Sequence, residues 1–138
     1  MIKDCNPKAN KFRIKLMGKK KKILIIEDDL LACRVYQKRL EKSGYEVDCA
    51  LDGEEGLTKS HDGYDLIILD IALPKLDGWQ VLRELKNHDG TKHTSVVICT
   101  ALDGDHMRAK TKELGADGFV NKFHDDLFSE VDRIWGGH

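Results

Sequence analysis

The chain is 138 residues long, which fits one domain able to bury its own core and leaves little room for a second. Its 23 Lys and Arg against 24 Asp and Glu give a net charge of −1, so bulk charge offers no reason to expect nucleic acid or a membrane as the main partner. The balance is uneven along the chain: residues 1–22 hold nine Lys or Arg against Asp4 alone, and the remainder is correspondingly acidic.

Residues 1–19 have no sustained hydrophobic period and are rich in Lys and Asn, so they read as a flexible basic extension preceding a domain over 20–138. Its charge run is read as solvated, with an anionic docking arm as the alternative. Cys5, Cys33, Cys49 and Cys99 fit neither a paired zinc spacing nor a dense disulfide framework, which points to reduced thiols. No apolar run approaches the roughly 20 residues of a membrane span, and no apolar secretory stretch follows the N-terminus. A soluble, cytoplasmic protein is expected, with no membrane or direct nucleic-acid partner.

From Lys22 the chain alternates between two kinds of segment. The first apolar run, Ile23 to Ile26, is followed by a helical stretch whose stripe is read as Leu31, Val35 and Leu40, ended at Ser43-Gly44, where Gly suits a left-handed cap. Val47 to Ala50 is a weaker strand, and Leu66 to Leu69 a strong one. Val81, Leu82 and Leu85 stripe the third helix, and Val96 to Cys99 form the fourth strand. A polar helix over Asp105 to Leu114, a short strand at Phe119-Val120 and a last helix carrying Leu127, Phe128, Val131 and Ile134 complete the series. Short Ile- and Val-rich strands without alternation suit burial on both faces. The pattern therefore predicts an α/β fold, a doubly wound five-stranded parallel sheet with right-handed crossovers and helices on both faces. In such sheets the functional site lies beyond the carboxyl ends of the strands, where strand order reverses.

Those ends carry chemistry. The first strand runs into Glu27, Asp28 and Asp29, and the third into Asp70. If the two strands are neighbours, about 4.8 Å apart, three or four carboxylates crowd one rim. Like charges that close oppose one another's ionisation unless a cation sits among them, and a hard divalent ion such as Mg2+ prefers oxygen ligands of this kind. The fourth strand closes with Thr100-Ala101 and the fifth with Asn121-Lys122, adding a hydroxyl and an ammonium. Carboxylates, a hydroxyl and an ammonium at one rim suit phosphoryl transfer, with Asp70 the nucleophile that can form an acyl phosphate.

The runs Ile25-Ile26-Glu27-Asp28-Asp29 and Leu69-Asp70-Ile71-Ala72-Leu73-Pro74-Lys75-Leu76-Asp77-Gly78, then Thr100-Ala101 and Lys122 in that order, resemble the response-regulator receiver family over roughly residues 20 to 135. The resemblance implies the flavodoxin-like strand order 2-1-3-4-5. It makes Asp70 the phosphoacceptor and Asp28, Asp70 and the Ala72 carbonyl direct ligands of Mg2+, with Mn2+ as a substitute and Glu27 acting through water. It further implies that Lys122 pairs with the phosphoryl group, that Thr100 hydrogen-bonds it, and that Phe119 is a switch aromatic whose rotamer follows Thr100. Pro74, Asp77 and Gly78 shape the turn into the third helix. The implied phosphodonor is a histidine kinase or histidine phosphotransfer protein, and the implied output is a shift of the weakly apolar fourth helix that changes the face it shares with the fifth strand.

Two departures from the family pattern stand out. The family usually has Lys-Pro joined by a cis peptide, whereas Lys122 precedes Phe123; a cis bond before a residue other than Pro costs roughly 2.5–4 kcal/mol, so a trans bond is expected. Ala72 and Leu102, two residues beyond Asp70 and Thr100, are apolar where relatives can carry groups that orient water, which predicts slow self-dephosphorylation. The reading is thus a phosphoacceptor switch rather than an enzyme acting on a separate substrate. The alternatives are a degenerate receiver that binds independently of phosphorylation and a Mg2+-dependent phosphohydrolase, which would place its Asp-x-Asp motif after the first strand. With Trp135-Gly136-Gly137-His138 closing the sequence, output is expected through partner proteins, from a monomer or weak dimer.

Overall fold

The short apolar runs form five parallel strands: β1 Lys22–Ile26, β2 Glu46–Ala50, β3 Leu66–Leu69, β4 Ser95–Thr100 and β5 Gly118–Asn121. Their order across the sheet is β2-β1-β3-β4-β5, as expected. The structure, a computed structural model, describes residues 20–135; the basic extension 1–19, Cys5 and His138 lie outside the described residues. Five helices connect the strands: α1 Leu30–Lys42, α2 Gly53–Lys59, α3 Gly78–Asn87, α4 Asp105–Glu113 and α5 Leu127–Ile134.

Strand side chains alternate between two cores. Ile23, Ile25, Leu66, Ile68, Val97 and Cys99 pack with Leu40, Leu127 and Val131 under α1 and α5. Leu24, Ile26, Ile67, Leu69, Val96 and Ile98 pack with Val81, Leu82, Leu85 and Met107 under α3 and α4. Both faces of the central strands are covered, so β1 and β3 read as unbroken apolar runs.

Four helices start on an aspartate whose carboxylate accepts backbone N–H groups of the first turn: Asp29, Asp52, Asp77 and Asp126. Helix α4 starts on Gly104 with no side-chain cap, and its buried contacts are limited to Met107 and Thr111. It is the one of the five helices without a side-chain cap, and its sequence is highly polar. The Glu55 N–H holds the Asp52 carboxyl below the usual range, as the Ser129 hydroxyl and the Phe128 N–H do for Asp126. Carboxyls with depressed values in the folded state add stability that is complete above the ordinary Asp value of 3.8 and is lost as pH falls through the depressed values. Asp52→Asn keeps a capping oxygen but cannot titrate. Its melting temperature is expected to fall less between about pH 5 and pH 3 than that of the parent chain, and an unchanged acid slope would contradict this cap contribution.

Two expectations are corrected. Leu31 and Val35 do not face the core: they are 74% and 57% exposed, while Cys33, Tyr36 and Leu40 line the inner face of α1. The spacing 33, 36, 40 is the helical one, and it went unrecognised because Cys and Tyr are weaker hydrophobic markers than Leu and Val. Cys33 and Cys49 are not reduced thiols but form a disulfide between α1 and β2, with Cα atoms 6.3 Å apart. That pairing arises because α1 packs across β1 and β2, a tertiary relation invisible in a 16-residue spacing. Cys99 is free and buried, and desolvation pushes its thiol up to about 12, so it is an inert core residue.

Candidate functional site

Strand register assembles the rim. Ile26 pairs with Leu69, so the residues that follow, Glu27 and Asp70, emerge side by side, and the ladder continues one step as Asp70 N–H donates to Ile26 O at 3.0 Å. Thr100 pairs with Asn121, and Lys122 N–H donates to Thr100 O at 2.9 Å. Four strand ends are thereby locked to backbone hydrogen bonds before any side chain is placed.

The side chains then converge. Glu27, Asp28 and Asp70 each offer a carboxylate oxygen, all within 4.8 Å of one another. Asp29 does not join them: its carboxylate caps α1 through Leu31 and Ala32, so the rim holds three carboxylates rather than four. Lys122 Nζ reaches across to donate to Glu27 Oε1 and to Asp70 Oδ2, the latter at 2.9 Å. The other Asp70 oxygen accepts the Ala72 N–H at 3.2 Å, and Glu27 Oε2 accepts the Asp29 N–H at 3.0 Å. Gly78 packs against the backbone of Asp70 and Ile71, where an added Cβ would lie 2.4 Å from Asp70 O. Asp77 caps α3 beside it, as expected for the turn.

Glu27 and Asp70 are almost fully buried, and Asp28 is exposed. Desolvation raises the Glu27 pKa above the usual carboxylate value, with the Lys122 hydrogen bond opposing it. For Lys122, burial favours the neutral amine, but its hydrogen bonds to Glu27 and Asp70 outweigh this and hold its pKa above that of a free lysine. The ammonium thus serves as counter-ion to two carboxylates that would otherwise repel.

Thr100 is completely buried at the end of β4, and its hydroxyl accepts the Leu102 N–H at 3.3 Å, with a proton still to give. Phe119 is half-buried on β5, facing the α4 side of the sheet. The Arg108 guanidinium lies 4.6 Å from its ring centroid and pairs with Asp125 at 3.2 Å, closing a groove of about 420 Å3 between β5 and α5. Among the described residues no peptide bond is cis, so Lys122-Phe123 is trans, as expected. Sequence reasoning missed Asn121, whose buried side chain organises the loop after β5. An Asn two residues before a free N–H is an Asx-turn signal that was available in the sequence.

A profile of the response regulator receiver domain matches residues 23–131. The chain belongs to this receiver family. It is 39% identical over 113 residues to the response regulator PleD of Caulobacter vibrioides, covering 80% of this chain and 25% of PleD. It is 40% identical over 111 residues to the transcriptional regulatory protein PcoR of Escherichia coli, covering 80% of this chain and 47% of PcoR. The receiver therefore spans a quarter to about half the length of these curated relatives. Among solved structures, the chemotaxis response regulator CheY4 of Vibrio cholerae aligns with a TM-score of 0.78 at 25% identity, over 84% of this chain and 99% of that one. The signal receiver domain of a histidine kinase from Syntrophus aciditrophicus aligns at 0.74 and 32% identity, over 85% and 91%. The receiver fold and its place in two-component signal transduction follow, and the receiver family is a regulatory one. No helix among the described residues is long and apolar enough to cross a membrane.

The donor set of this receiver fits a hard divalent cation. Three carboxylates lie close enough to share one ion, all offer oxygen, and exposed Asp28 leaves the rim open to the waters such an ion retains.

Proposed function

We propose that Asp70 is the phosphoacceptor, taking a phosphoryl group from the phosphohistidine of a histidine kinase or histidine phosphotransfer protein. The observation that carries this reading is the contact of Lys122 Nζ with an Asp70 carboxylate that itself lies within 4.8 Å of Glu27 and Asp28. A nucleophilic carboxylate, a cation site and a fixed ammonium meet at one rim. Glu27, Asp28, Asp70 and the Ala72 carbonyl would hold Mg2+, which when bound neutralises charge on the transferring group.

In the transfer an Asp70 oxygen forms a bond to phosphorus as the bond from phosphorus to the imidazole nitrogen breaks, and the freed imidazole keeps the electron pair. Lys122 then exchanges its contact with the carboxylate for one with a phosphoryl oxygen. The Thr100 hydroxyl, now an acceptor for Leu102, turns its proton toward another. Inward movement of Thr100 leaves room for Phe119 to follow, and α4, the helix without a side-chain cap, is the element free to shift. The changed face then alters binding to a downstream partner protein.

Incubation with acetyl phosphate and Mg2+, followed by intact mass, is expected to yield a single phosphoryl adduct that is absent in Asp70→Asn. Unmodified parent chain would support the degenerate receiver, and continuous release of phosphate without an adduct would support the phosphohydrolase. Because exposed Ala72 and Leu102 offer no polar side chain to orient an attacking water, the adduct is expected to persist for minutes or longer after removal of donor. Decay within seconds would contradict that reading.

A further inference from the structure

Asn121 does more than end a strand. It is a polar side chain only 1% exposed, and both of its functional ends are used. Its Oδ1 accepts the N–H of Phe123 at 2.9 Å and of His124 at 3.2 Å, and its Nδ2 donates to Leu102 O at 3.3 Å. The first pair fixes the backbone on the far side of Lys122, and the last reaches the loop that follows Thr100. One amide therefore ties together the two loops whose side chains, Lys122 and Thr100, flank the phosphoacceptor.

The identity of residue 123 makes this possible. Proline has no N–H, so the 2.9 Å bond exists because a residue other than Pro stands there. The Phe123 ring is 76% exposed and contributes little packing of its own. The loop is anchored through the Phe123 backbone, not its side chain. A proline would restrict the chain after Lys122 by its ring; here a buried amide does so by hydrogen bonding, around a trans peptide.

We infer that Asn121 is the positioning residue for Lys122 and Thr100, replacing the constraint that a proline at 123 would supply. The inference rests on the phosphoacceptor reading of Asp70. Asn121 makes no hydrogen bond to Asp70, Glu27 or Asp28, so its loss is expected to act on donor placement rather than on the metal ligands. Misplacing a reacting group by about 1 Å can cost on the order of 100-fold in rate, and partial loosening of Lys122 costs less.

The test compares the parent chain, Asn121→Ala, Phe123→Pro and the double variant by three readouts: adduct formation with acetyl phosphate and Mg2+, Mg2+ affinity without donor, and amide hydrogen exchange at residues 123 and 124. Asn121→Ala is expected to slow adduct formation roughly tenfold, to leave Mg2+ affinity no weaker than that of the parent, and to speed exchange at Phe123 and His124. In the Phe123→Pro background, whose own folding is checked by its melting temperature, the same Asn121 change is expected to cost clearly less, because one shared bond is already gone. A parent-like rate and parent-like exchange in Asn121→Ala would overturn the role. So would penalties that multiply in the double variant, or a matching loss of Mg2+ affinity, which would mark a collapse of the whole rim. Failure of the parent chain itself to form an adduct would instead overturn the phosphoacceptor reading and this role with it.

Discussion

Lys122→Ala is expected to slow adduct formation on Asp70 by about 100-fold, the usual cost of removing one preorganised donor from a site of developing charge, while tightening Mg2+ binding. The opposite signs follow from the two roles of one ammonium. It is hydrogen-bonded to Glu27 and Asp70, the carboxylates proposed to face the cation, so it competes with any divalent ion for them. Removing it frees that charge, and a gain on the order of tenfold in Mg2+ affinity corresponds to about 1.4 kcal/mol. Without divalent ions the same variant leaves Glu27 and Asp70, whose side chains are 4% and 6% exposed, unpaired, at a cost of about 3 kcal/mol of folding stability. Added Mg2+ should therefore raise the melting temperature of Lys122→Ala more than that of the parent chain. Equal or weaker Mg2+ binding in the variant would show that the ammonium does not contest the metal's place.

The second large effect belongs to Gly78→Ala. An alanine methyl would sit 2.4 Å from both Asp70 O and Ile71 Cα, and those atoms are backbone that cannot rotate away. Gly78 N–H also donates to Ile71 O at 2.9 Å, holding the start of α3 against the residue after Asp70. Relief requires moving α3 or the end of β3, at a cost of about 3 kcal/mol, the upper part of the overpacking range. The melting temperature is expected to fall by roughly 10 °C or more. Since one of the crowded atoms is the carbonyl oxygen of Asp70 itself, adduct formation should fall even where the variant remains folded. Parent-like stability would mean that the helix slides freely, contrary to its packing.

Much of this was legible in the sequence because the relevant signals are local. Runs such as Leu66 to Leu69 fix strand positions by composition, and a parallel sheet then brings Glu27 and Asp70 together through register alone. The paired carboxylates and Lys122 followed from topology plus residue type. What stayed hidden depended on rotation and packing. The inner face of α1 was assigned to Leu31 and Val35 instead of Cys33 and Tyr36, because hydrophobicity ranks the exposed pair higher than the buried one. The sequence leaves open whether three or four carboxylates share the rim, because the service of Asp29 as the cap of α1 depends on local backbone geometry. The Cys33–Cys49 bond joins elements whose contact no spacing announces. Asn121 was passed over since its importance lies in what it accepts from its successors, not in a motif.

The disulfide has a mechanical consequence. It fastens α1 to edge strand β2, so the β1-α1-β2 limb is covalently riveted on one side of Asp70. On the other side no covalent cross-link joins β4, α4 and β5 among the described residues: β5 pairs with β4 at the sheet edge, and α4 starts without a side-chain cap. A push delivered at Asp70, between these limbs, meets a stiff support and a compliant one. In the switch proposed above, the stiff limb would act as the fulcrum, and displacement would be channelled toward the β4-α4-β5 edge.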